Sequence, residues 1–260
     1  MYRKEDLLRD VAAMHLDPQG TLLIHSSCKA AGEVEGGAET ILDAWSESMK
    51  DGLLIFPTHT WAAIGEENPV FDAVSSPSCV GILPELFRKR PGVVRSLHPT
   101  HSVAALGRDA ASYTAGEETR TTPCPREGCW GRLYDRDATI LFLGCTLQRN
   151  TFIHSVEEWL DIPDRLTDGY QQLVSVAPDG RRFHIPMRRH YCSVSNDVSR
   201  NFGKLEAPFR KLGVISYARF GDALCVYGKA RRMADVASAL LQMNPQLFSD
   251  GEPIPTRWYA

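Results

Sequence analysis

The chain has 260 residues, of which 43% are hydrophobic, so it is long enough to bury a full core and to form an enzyme. Its formal charge of -3 provides no basic field for nucleic acid, and no apolar run approaches the roughly 20 residues that cross a bilayer. We therefore expect neither a nucleic-acid partner nor a membrane span.

The first part of the chain alternates helix and strand patterns. Apolar residues at a helical period predict a helix over Lys4–Met14, and because no signal-peptide stretch occurs there, we expect a cytoplasmic protein. A strand is predicted over Thr21–His25 and a helix over Ala38–Lys50. The loop between them is rich in serine and glycine, and a strand, loop and helix of this kind can hold phosphate on backbone N–H groups.

The second strand is predicted over Leu53–Thr58, after which the chain lacks periodicity as far as about Cys79. We expect a long surface loop there, and such loops are commonly functional. A helix over Val80–Arg90 follows. Arg95 then precedes a strand-like run, and its fork of donors suits a phosphate or a carboxylate, with an ordinary surface salt bridge as the alternative.

Residues 121–133 contain enough proline and glycine to predict irregular structure directly before the central strand. Glu127 lies in this segment and is a candidate partner carboxylate for a site beyond that strand. A solvated surface glutamate is the alternative interpretation.

The central strand is predicted over Ile140–Leu143, an unbroken apolar run that is typical of a strand buried on both faces. Gly144 ends it. A polar turn follows, and Asn150 or Thr151 is expected to cap the next helix with a side-chain oxygen.

His154 on that helix is the strongest candidate for a functional residue. Residues three and four apart share a helix face, so its imidazole can touch the carboxylate of Glu157 or Glu158. Open α/β sheets bind their ligands beyond the carboxyl ends of their strands, where this histidine is expected. A surface ion pair or a buried structural histidine is the alternative.

The last third of the chain mixes strands and helices. It contains a predicted hairpin over Gln171–Ala177 and Arg182–Met187, a helix over 202–212, strands over 214–220 and 223–227, and a helix over 233–243. We therefore predict an α/β fold that is α+β in its C-terminal third, with a central mixed sheet flanked by helices. We expect one domain, 1–260, in which the less regular portion 165–260 packs on an α/β core formed by 1–164.

The seven cysteines are scattered and form no CxxC pair, so we expect neither a disulfide framework nor a zinc site. Cys129 or Cys145 near His154 would offer a nucleophile for acyl transfer, which is an alternative to catalysis by histidine alone.

Several motifs occur together in a fixed order. They are HSS at 25–27 with GGAET at 36–40, PTHT at 57–60, RSLHPTHSVAALG at 95–107, WGRLY at 130–134 and LFLGCTLQRNTFIHSVEE at 141–158. With these motifs, the chain resembles the antibiotic N-acetyltransferase family, whose best-known members are aminoglycoside 3-N-acetyltransferases. The resemblance extends from about residue 20 to at least residue 190. The resemblance implies acetyl-CoA as donor, a small-molecule amine as acceptor, no metal, and a fold distinct from the GNAT acetyltransferases.

The resemblance also assigns site residues. The family's essential histidine falls on His154 and its neighbouring glutamate on Glu157. The residues that it places near the coenzyme are His25, Ser26, Ser27, Cys28, Arg95, Ser96, His98 and Ser102. Gly128-Cys129 stands where relatives usually have Ser-Pro, which weakens a catalytic role for Glu127 by analogy.

The expected mechanism is direct transfer, with His154 as general base oriented by Glu157 and with His190 as a second candidate for acceptor binding or proton relay. Backbone N–H groups of the Ser26-Ser27 loop, or of the loop after the second strand, are expected to bind the thioester oxygen.

Three alternatives remain open: a cysteine-nucleophile acyltransferase, a non-catalytic protein that binds CoA or a metabolite, and, least supported, a zinc cluster of His25, His59, His98, His101 and His154. A homodimer is also left open. The acceptor itself is not specified, because the loop after the second strand holds only Glu66, Glu67 and Asp72 as acids, which is few for a polycation.

Overall fold

A computed structural model of the chain describes residues 1–195 and 197–260. The helices are α1 Lys4–Ala13, α2 Gly37–Ser48, α3 Ile82–Phe87, α4 Ala110–Thr114, α5 Cys129–Asp135, α6 Phe152–Trp159, α7 Glu206–Lys211 and α8 Ala230–Met243. The strands are β1 Thr21–Ser26, β2 Leu53–Pro57, β3 Val70–Asp72, β4 Val94–Arg95, β5 Val103–Gly107, β6 Thr139–Leu143, β7 Gln171–Val176, β8 Arg182–Met187, β9 Ile215–Phe220 and β10 Ala223–Lys229. None of these helices is both long enough and apolar enough to cross a membrane.

In the described part of the chain, seven strands form one mixed sheet in the order β4-β5-β2-β1-β6-β10-β9. Its three central strands, β2, β1 and β6, run parallel to one another, while the strands on either side of them are antiparallel to their neighbours. The α/β fold class and the central mixed sheet predicted from the sequence are confirmed.

Helices cover both faces of this sheet because its central strands are apolar on both sides. One face packs with α1, α2 and α3 around Trp45 and Phe56, and the other packs with α5, α6 and α8 around Trp130 and Phe142. Successive residues of β1 alternate between the two clusters, so that Leu23 lies in the second cluster while its neighbours lie in the first.

A small second sheet has the order β3-β7-β8. The predicted hairpin of β7 and β8 is confirmed, and β3 joins it as a parallel strand. The stretch between β2 and Cys79 was expected to be a loop without regular structure, and β3 corrects that expectation. Pairing with β7 supplies the hydrogen bonds that the short segment cannot make by itself.

The remaining differences from the sequence prediction concern local boundaries. The helix expected over Val80–Arg90 is confined to α3, and α8 begins three residues before the predicted start. The helix expected over 202–212 is divided into a 3-10 turn at Val198–Leu205 followed by α7.

Helix α5 begins inside the segment that was predicted to be irregular as far as 133. Gly131 lies within it, and a Cβ at this position would overlap the carbonyl of Arg126. This glycine therefore permits close packing and does not break the helix.

The turn after β6 places the candidate site. Gly144 has a φ of 62°, and a Cβ there would overlap the side chain of Ala30. The expected cap of α6 is wrong, because Thr151 has helical dihedrals and no side-chain hydrogen bond caps this helix among the described residues. A 3-10 turn at Leu147–Arg149 leads into α6 instead.

Candidate active site

A cavity of about 1070 Å³ opens at the carboxyl ends of β1, β2 and β6. Segments from five parts of the chain border it, together with His101 and Arg165: 24–29 at the end of β1, 57–61 at the end of β2, 79–84 before α3, 144–154 after β6, and 189–192 with 197–199 after β8. The parallel strands end at the same edge of the sheet, which is why these distant segments meet.

His154, Glu157 and Arg165 form a chain of contacts at this cavity. His154 Nδ1 lies 3.2 Å from Glu157 Oε2, and Arg165 Nε donates to Glu157 Oε1 at 2.6 Å. Glu157 and Arg165 are almost fully buried, whereas the ring of His154 lines the cavity. A carboxylate on Nδ1 holds the proton there and leaves Nε2 as the acceptor, and the guanidinium balances the buried negative charge.

A second imidazole and carboxylate lie directly beside the first pair. The ring of His190 stacks on that of His154, with centroids 3.9 Å apart, and His190 Nε2 lies 3.2 Å from Glu158 Oε1. Glu158 also accepts hydrogen bonds from Thr122 Oγ1 and from the Cys124 N–H. Burial raises the pKa of Glu158 to about 7 and lowers the pKa of His190 well below its ordinary value.

More histidines continue from this pair into the protein. His101 makes an edge contact with His190, and His59 packs against His101 and against Trp130. Burial lowers the pKa of both His59 and His101 well below the ordinary value. These rings are therefore neutral near pH 7, so the set of histidines that begins at His190 adds no positive charge beside His154.

The structure brings four of the predicted coenzyme residues to the cavity: His25, Ser26, Ser27 and Cys28. His25 stacks on Phe142, and burial lowers its pKa to about 3. Its Nε2 atom and the Ser26 hydroxyl are buried without a partner among the described residues. Buried polar atoms are normally hydrogen-bonded, so these two atoms are available to bond with a ligand at this wall.

The expected oxyanion donors are only partly available. The Ser27 N–H donates to the Leu143 carbonyl, and after β2 the Thr58 N–H donates to the Ser102 carbonyl. The N–H groups of Cys28 and Lys29, at the start of the 3-10 turn after β1, donate to no described residue. These two N–H groups therefore remain available as donors.

Arg95 does not border the cavity, and the structure gives it a structural role instead. Its guanidinium donates to the carbonyls of Thr58, Ser76 and Ala73 and lies over the ring of Phe71. Burial lowers its pKa to about 9. The expectation of a coenzyme contact at Arg95 is therefore corrected, because its donors are used inside the protein.

The other three residues of this motif are corrected for the same reason. Ser96, His98 and Ser102 are buried away from the cavity. The Ser96 hydroxyl accepts from the Val103 N–H, His98 Nδ1 accepts from the backbone of the turn that follows it, and the Ser102 hydroxyl donates to the Thr58 carbonyl. The motif thus fixes the turn that carries His101.

Glu127 is not brought to the site. Its side chain is exposed and does not border the cavity. The carboxylate next to the second imidazole comes from Glu158 on α6 instead, because that helix aims two consecutive glutamates at two different rings.

The cysteines have the wrong environment for a nucleophile. Cys129 is fully buried, its Sγ donates to the Tyr113 carbonyl, and burial raises its pKa well above the ordinary value. Cys145 borders the cavity, but burial raises its pKa to about 12. A reactive cysteine needs a lowered pKa, so the structure argues against acyl transfer through either thiol.

One group among the described residues has ligand atoms close enough for a metal ion: Cys124, Glu158 and His190, within 4.8 Å of one another. Burial raises the pKa of Cys124 well above its ordinary value, which keeps it a thiol, whereas metals bind the thiolate. The five histidines considered as a zinc cluster do not form such a group in the described part of the chain.

Sequence reasoning did not identify two residues of the site. Arg165 follows a turn beyond α6 and Arg189 precedes His190, and no local pattern distinguishes either from a surface arginine. Their positions depend on how the C-terminal third packs over the sheet edge.

Comparisons with known proteins converge on one group. A family model described as aminoglycoside 3-N-acetyltransferase matches residues 23–242. Aminoglycoside N(3)-acetyltransferase VII from Streptomyces paromomycinus is 33% identical over 201 residues, which cover 68% of each chain. A prophage-derived aminoglycoside N(3')-acetyltransferase-like protein from Bacillus subtilis is 26% identical over 175 residues, 59% of this chain and 64% of that protein.

Solved structures show the same fold. The binary complex of AAC-IIIb with CoASH has a TM-score of 0.82 and 22% identity to this chain, and the alignment covers 98% of this chain and 99% of that one. A mutant of aminoglycoside acetyltransferase AAC(3)-IVa in complex with apramycin has a TM-score of 0.78 and 22% identity, with coverage of 95% and 94%. The architecture predicted from the resemblance is confirmed.

Proposed function

The chain belongs to the aminoglycoside 3-N-acetyltransferase family, and from this premise we propose that it transfers the acetyl group of acetyl-CoA directly to an amine of an aminoglycoside or a similar small molecule, with His154 as general base. Family membership makes the chain an acyltransferase with acetyl-CoA as its donor. The observation that carries the proposed mechanism is the contact chain from His154 through Glu157 to Arg165 at the wall of the cavity.

The coenzyme side of the cavity has residues that fit acetyl-CoA. Lys29 and Arg149 are exposed cations on the loops after β1 and β6 and suit its phosphates. His25 Nε2 and the Ser26 hydroxyl are buried polar atoms that lack a protein partner among the described residues. Acetyl-CoA supplies a thioester carbonyl that is activated for attack by an amine.

His154 receives the proton that the attacking nitrogen must lose. Glu157 orients the ring so that Nε2 is the acceptor, and it stabilises the positive charge that the ring gains. Arg165 holds Glu157 from the opposite side at 2.6 Å. This arrangement supports proton abstraction by an imidazole that is kept in one tautomer and one orientation.

His190 acts as a positioning residue in this proposal. Because burial holds its pKa low, the ring stays neutral when its stacked neighbour becomes charged, and a neutral aromatic face stabilises a cation. Glu158 fixes the ring of His190 through Nε2. The backbone N–H groups of Cys28 and Lys29 are the proposed donors to the thioester oxygen.

The test is a thiol-release assay with acetyl-CoA, in which the acetylated amine is identified by mass. We expect release that depends on an added amine and a product heavier by one acetyl group. Intact-mass measurement of the protein after incubation with acetyl-CoA alone should show no adduct. An adduct would support the cysteine nucleophile, and coenzyme binding without release on any amine would support the non-catalytic alternative.

A further inference from the structure

The charged side chains that border the main cavity are mostly positive. In the described part of the chain these are Lys29, Arg149, Arg165 and Arg189, against one carboxylate, Asp197. An acceptor with several ammonium groups would bring further positive charge into a wall that offers little to balance it.

Three of the four cations already have a role. Arg165 is paired with Glu157, while Lys29 and Arg149 lie on the loops assigned to the coenzyme. Arg189 has no such role; it lines the same cavity as His154 and immediately precedes His190 in the chain.

Arg189 is held firmly but is not neutralised. Its two terminal nitrogens donate to the carbonyls of Ile64 and Trp61 at 2.7 and 2.8 Å. No described carboxylate lies within 4.0 Å of its guanidinium, and its Nε donates to no described residue. A half-buried arginine with a free edge and no counter-charge is suited to bind an anion.

The one carboxylate of the main cavity is already engaged. Asp197 Oδ1 accepts from the N–H of Ser199 at 3.0 Å and from its hydroxyl at 2.5 Å. Glu66 and Glu67 of the loop after β2 are exposed and do not border the cavity.

A second cavity of about 500 Å³ shares Arg165 and Tyr191 with the first and has five acidic residues in its wall. Glu157 and Glu158 are buried and bonded to the two imidazoles, and Asp164 accepts from the N–H and hydroxyl of Ser193. Only Asp161 and Asp168 would remain for a polycation that extended into it.

We propose that the acceptor is a small primary amine that carries an anionic group, a carboxylate or a phosphate, bound by Arg189 while its nitrogen faces His154. This deepens the proposed acetyl transfer and rests on it. The uncharged nitrogen forms the N–C bond and the thioester C–S bond breaks. One proton passes from the nitrogen to His154 and from His154 to the leaving sulfur, so that coenzyme A leaves as the thiol.

The experiment uses the thiol-release assay and compares each anionic amine with the amino alcohol of the same length. The carboxylate amines are 4-aminobutyrate and 6-aminohexanoate, and the phosphate amine is phosphoethanolamine. The corresponding amino alcohols, which have a neutral hydroxyl, are the uncharged counterparts. Gentamicin and apramycin represent polycationic acceptors. We expect kcat/KM for a carboxylate or phosphate amine to exceed that of its neutral counterpart by about 10- to 100-fold, and gentamicin to be poorer than both. The better of the two anionic sets identifies the source of the anion.

Arg189→Met should remove this advantage by raising KM, so that kcat/KM falls at least 10-fold more for the anionic acceptors than for the neutral amino alcohols. Arg182→Met, on the exposed part of the same hairpin, is the matched control and should change neither. Because Arg189→Met also frees two carbonyls, inhibition of the unaltered enzyme provides a second test. Butyrate or hexanoate, which lack the amine, should compete with the anionic acceptors.

Faster turnover of gentamicin or apramycin than of every anionic amine would overturn this inference and leave the acetyl transfer intact. Equal loss with neutral and anionic acceptors in Arg189→Met, combined with no inhibition by the carboxylic acids, would also overturn it. Absence of thiol release with every acceptor would overturn the proposed function and this inference together.

Discussion

At the scale of single residues, the site depends on two consecutive glutamates that serve two different histidines. Glu157 contacts His154 and Arg165, while Glu158 contacts His190 and receives two further hydrogen bonds. Because residues one apart on a helix point in different directions, α6 can support both rings at once. The two carboxylates therefore have separate effects that substitution can distinguish.

Glu157→Gln should lower kcat by about 10²-fold or more, because an amide can donate to Nδ1 and leave the proton on Nε2, the wrong tautomer for a base. It should also lower the free energy of unfolding by about 3 kcal/mol, since Arg165 loses its buried counter-charge. Thiol release and urea unfolding measure the two effects. Glu157→Asp, which keeps the charge, is the control, and unchanged kcat in Glu157→Gln would remove the orienting role.

Glu158→Gln should change how stability depends on pH. The folded state raises the pKa of Glu158 from 4.5 to about 7, so the folded protein holds a proton that the unfolded chain has lost, and stability falls as pH rises through that interval. The substitution removes this cost, by about 1–3 kcal/mol at pH 8 and by much less at pH 5. Urea unfolding of both proteins at the two pH values checks it, and an equal difference at both would contradict the account.

The residues of the site differ in how far sequence could identify them. His154 and Glu157 follow from helix spacing and from the family motif, and the structure brings them together. Arg95 and Glu127 are candidates because of their residue type. Residue type alone does not show whether a guanidinium donates to the protein's own carbonyls or whether a carboxylate faces solvent. Arg165 requires the tertiary fold, because the element that holds it forms no local pattern with α6.

At the scale of elements, the turn after β6 joins the proposed coenzyme loop to α6, the helix that carries the proposed base. Gly144 has a positive φ and touches the 3-10 turn after β1, which carries Cys28 and Lys29. A change at this glycine therefore acts on the coenzyme loop as well as on the start of α6.

Gly144→Ala should destabilise the protein by about 2–3 kcal/mol and raise KM for acetyl-CoA, because its Cβ overlaps Ala30 as well as straining the backbone. Gly213→Ala is the matched control, since Gly213 also has a positive φ but its Cβ would meet no atom within 4 Å. It should cost about 1 kcal/mol and leave KM unchanged. Melting curves and steady-state kinetics of the two variants measure these effects. Equal losses of stability and equal KM values would show that packing against Ala30 is unimportant.

The regular elements were largely predictable, since buried strands and amphipathic helices have clear periods. Three local features were not. Strand β3 exists because β7 offers it a partner, α5 continues through a glycine that allows close packing, and α6 begins after a 3-10 turn without a side-chain cap. Strand β3 depends on a partner distant in sequence, and the other two features depend on close packing and turn geometry, which local propensity does not contain.

At the scale of the whole molecule, the buried histidines form the largest set of titratable groups that folding keeps neutral. Burial lowers the pKa of His25 to about 3 and of His98 to about 4, and it lowers those of His59, His101 and His190 well below the ordinary value. They come from four separate segments of the chain, so they are buried together only when the fold at the sheet edge is intact.

We expect the protein to be acid-sensitive. Each histidine whose pKa is lowered by folding contributes stability that is complete above its unfolded pKa of about 6.5. This contribution is lost as pH falls toward about 4, at about 1.4 kcal/mol per pH unit for each group. Glu158 acts in the opposite direction over part of this range, but it is one group against five. Urea midpoints at pH 8, 7, 6 and 5 should fall steeply below 6.5, and a flat profile down to pH 5 would be inconsistent with neutral buried rings.

The central claim is that His154 removes the proton from the attacking amine without forming the coenzyme site. The most direct measurement is kcat for thiol release together with the coenzyme dissociation constant, for the unaltered protein and for His154→Ala. The account predicts that kcat falls by about 10² to 10⁴ while the dissociation constant stays within a few-fold. Full retention of kcat, or a loss explained entirely by weaker coenzyme binding, would contradict it.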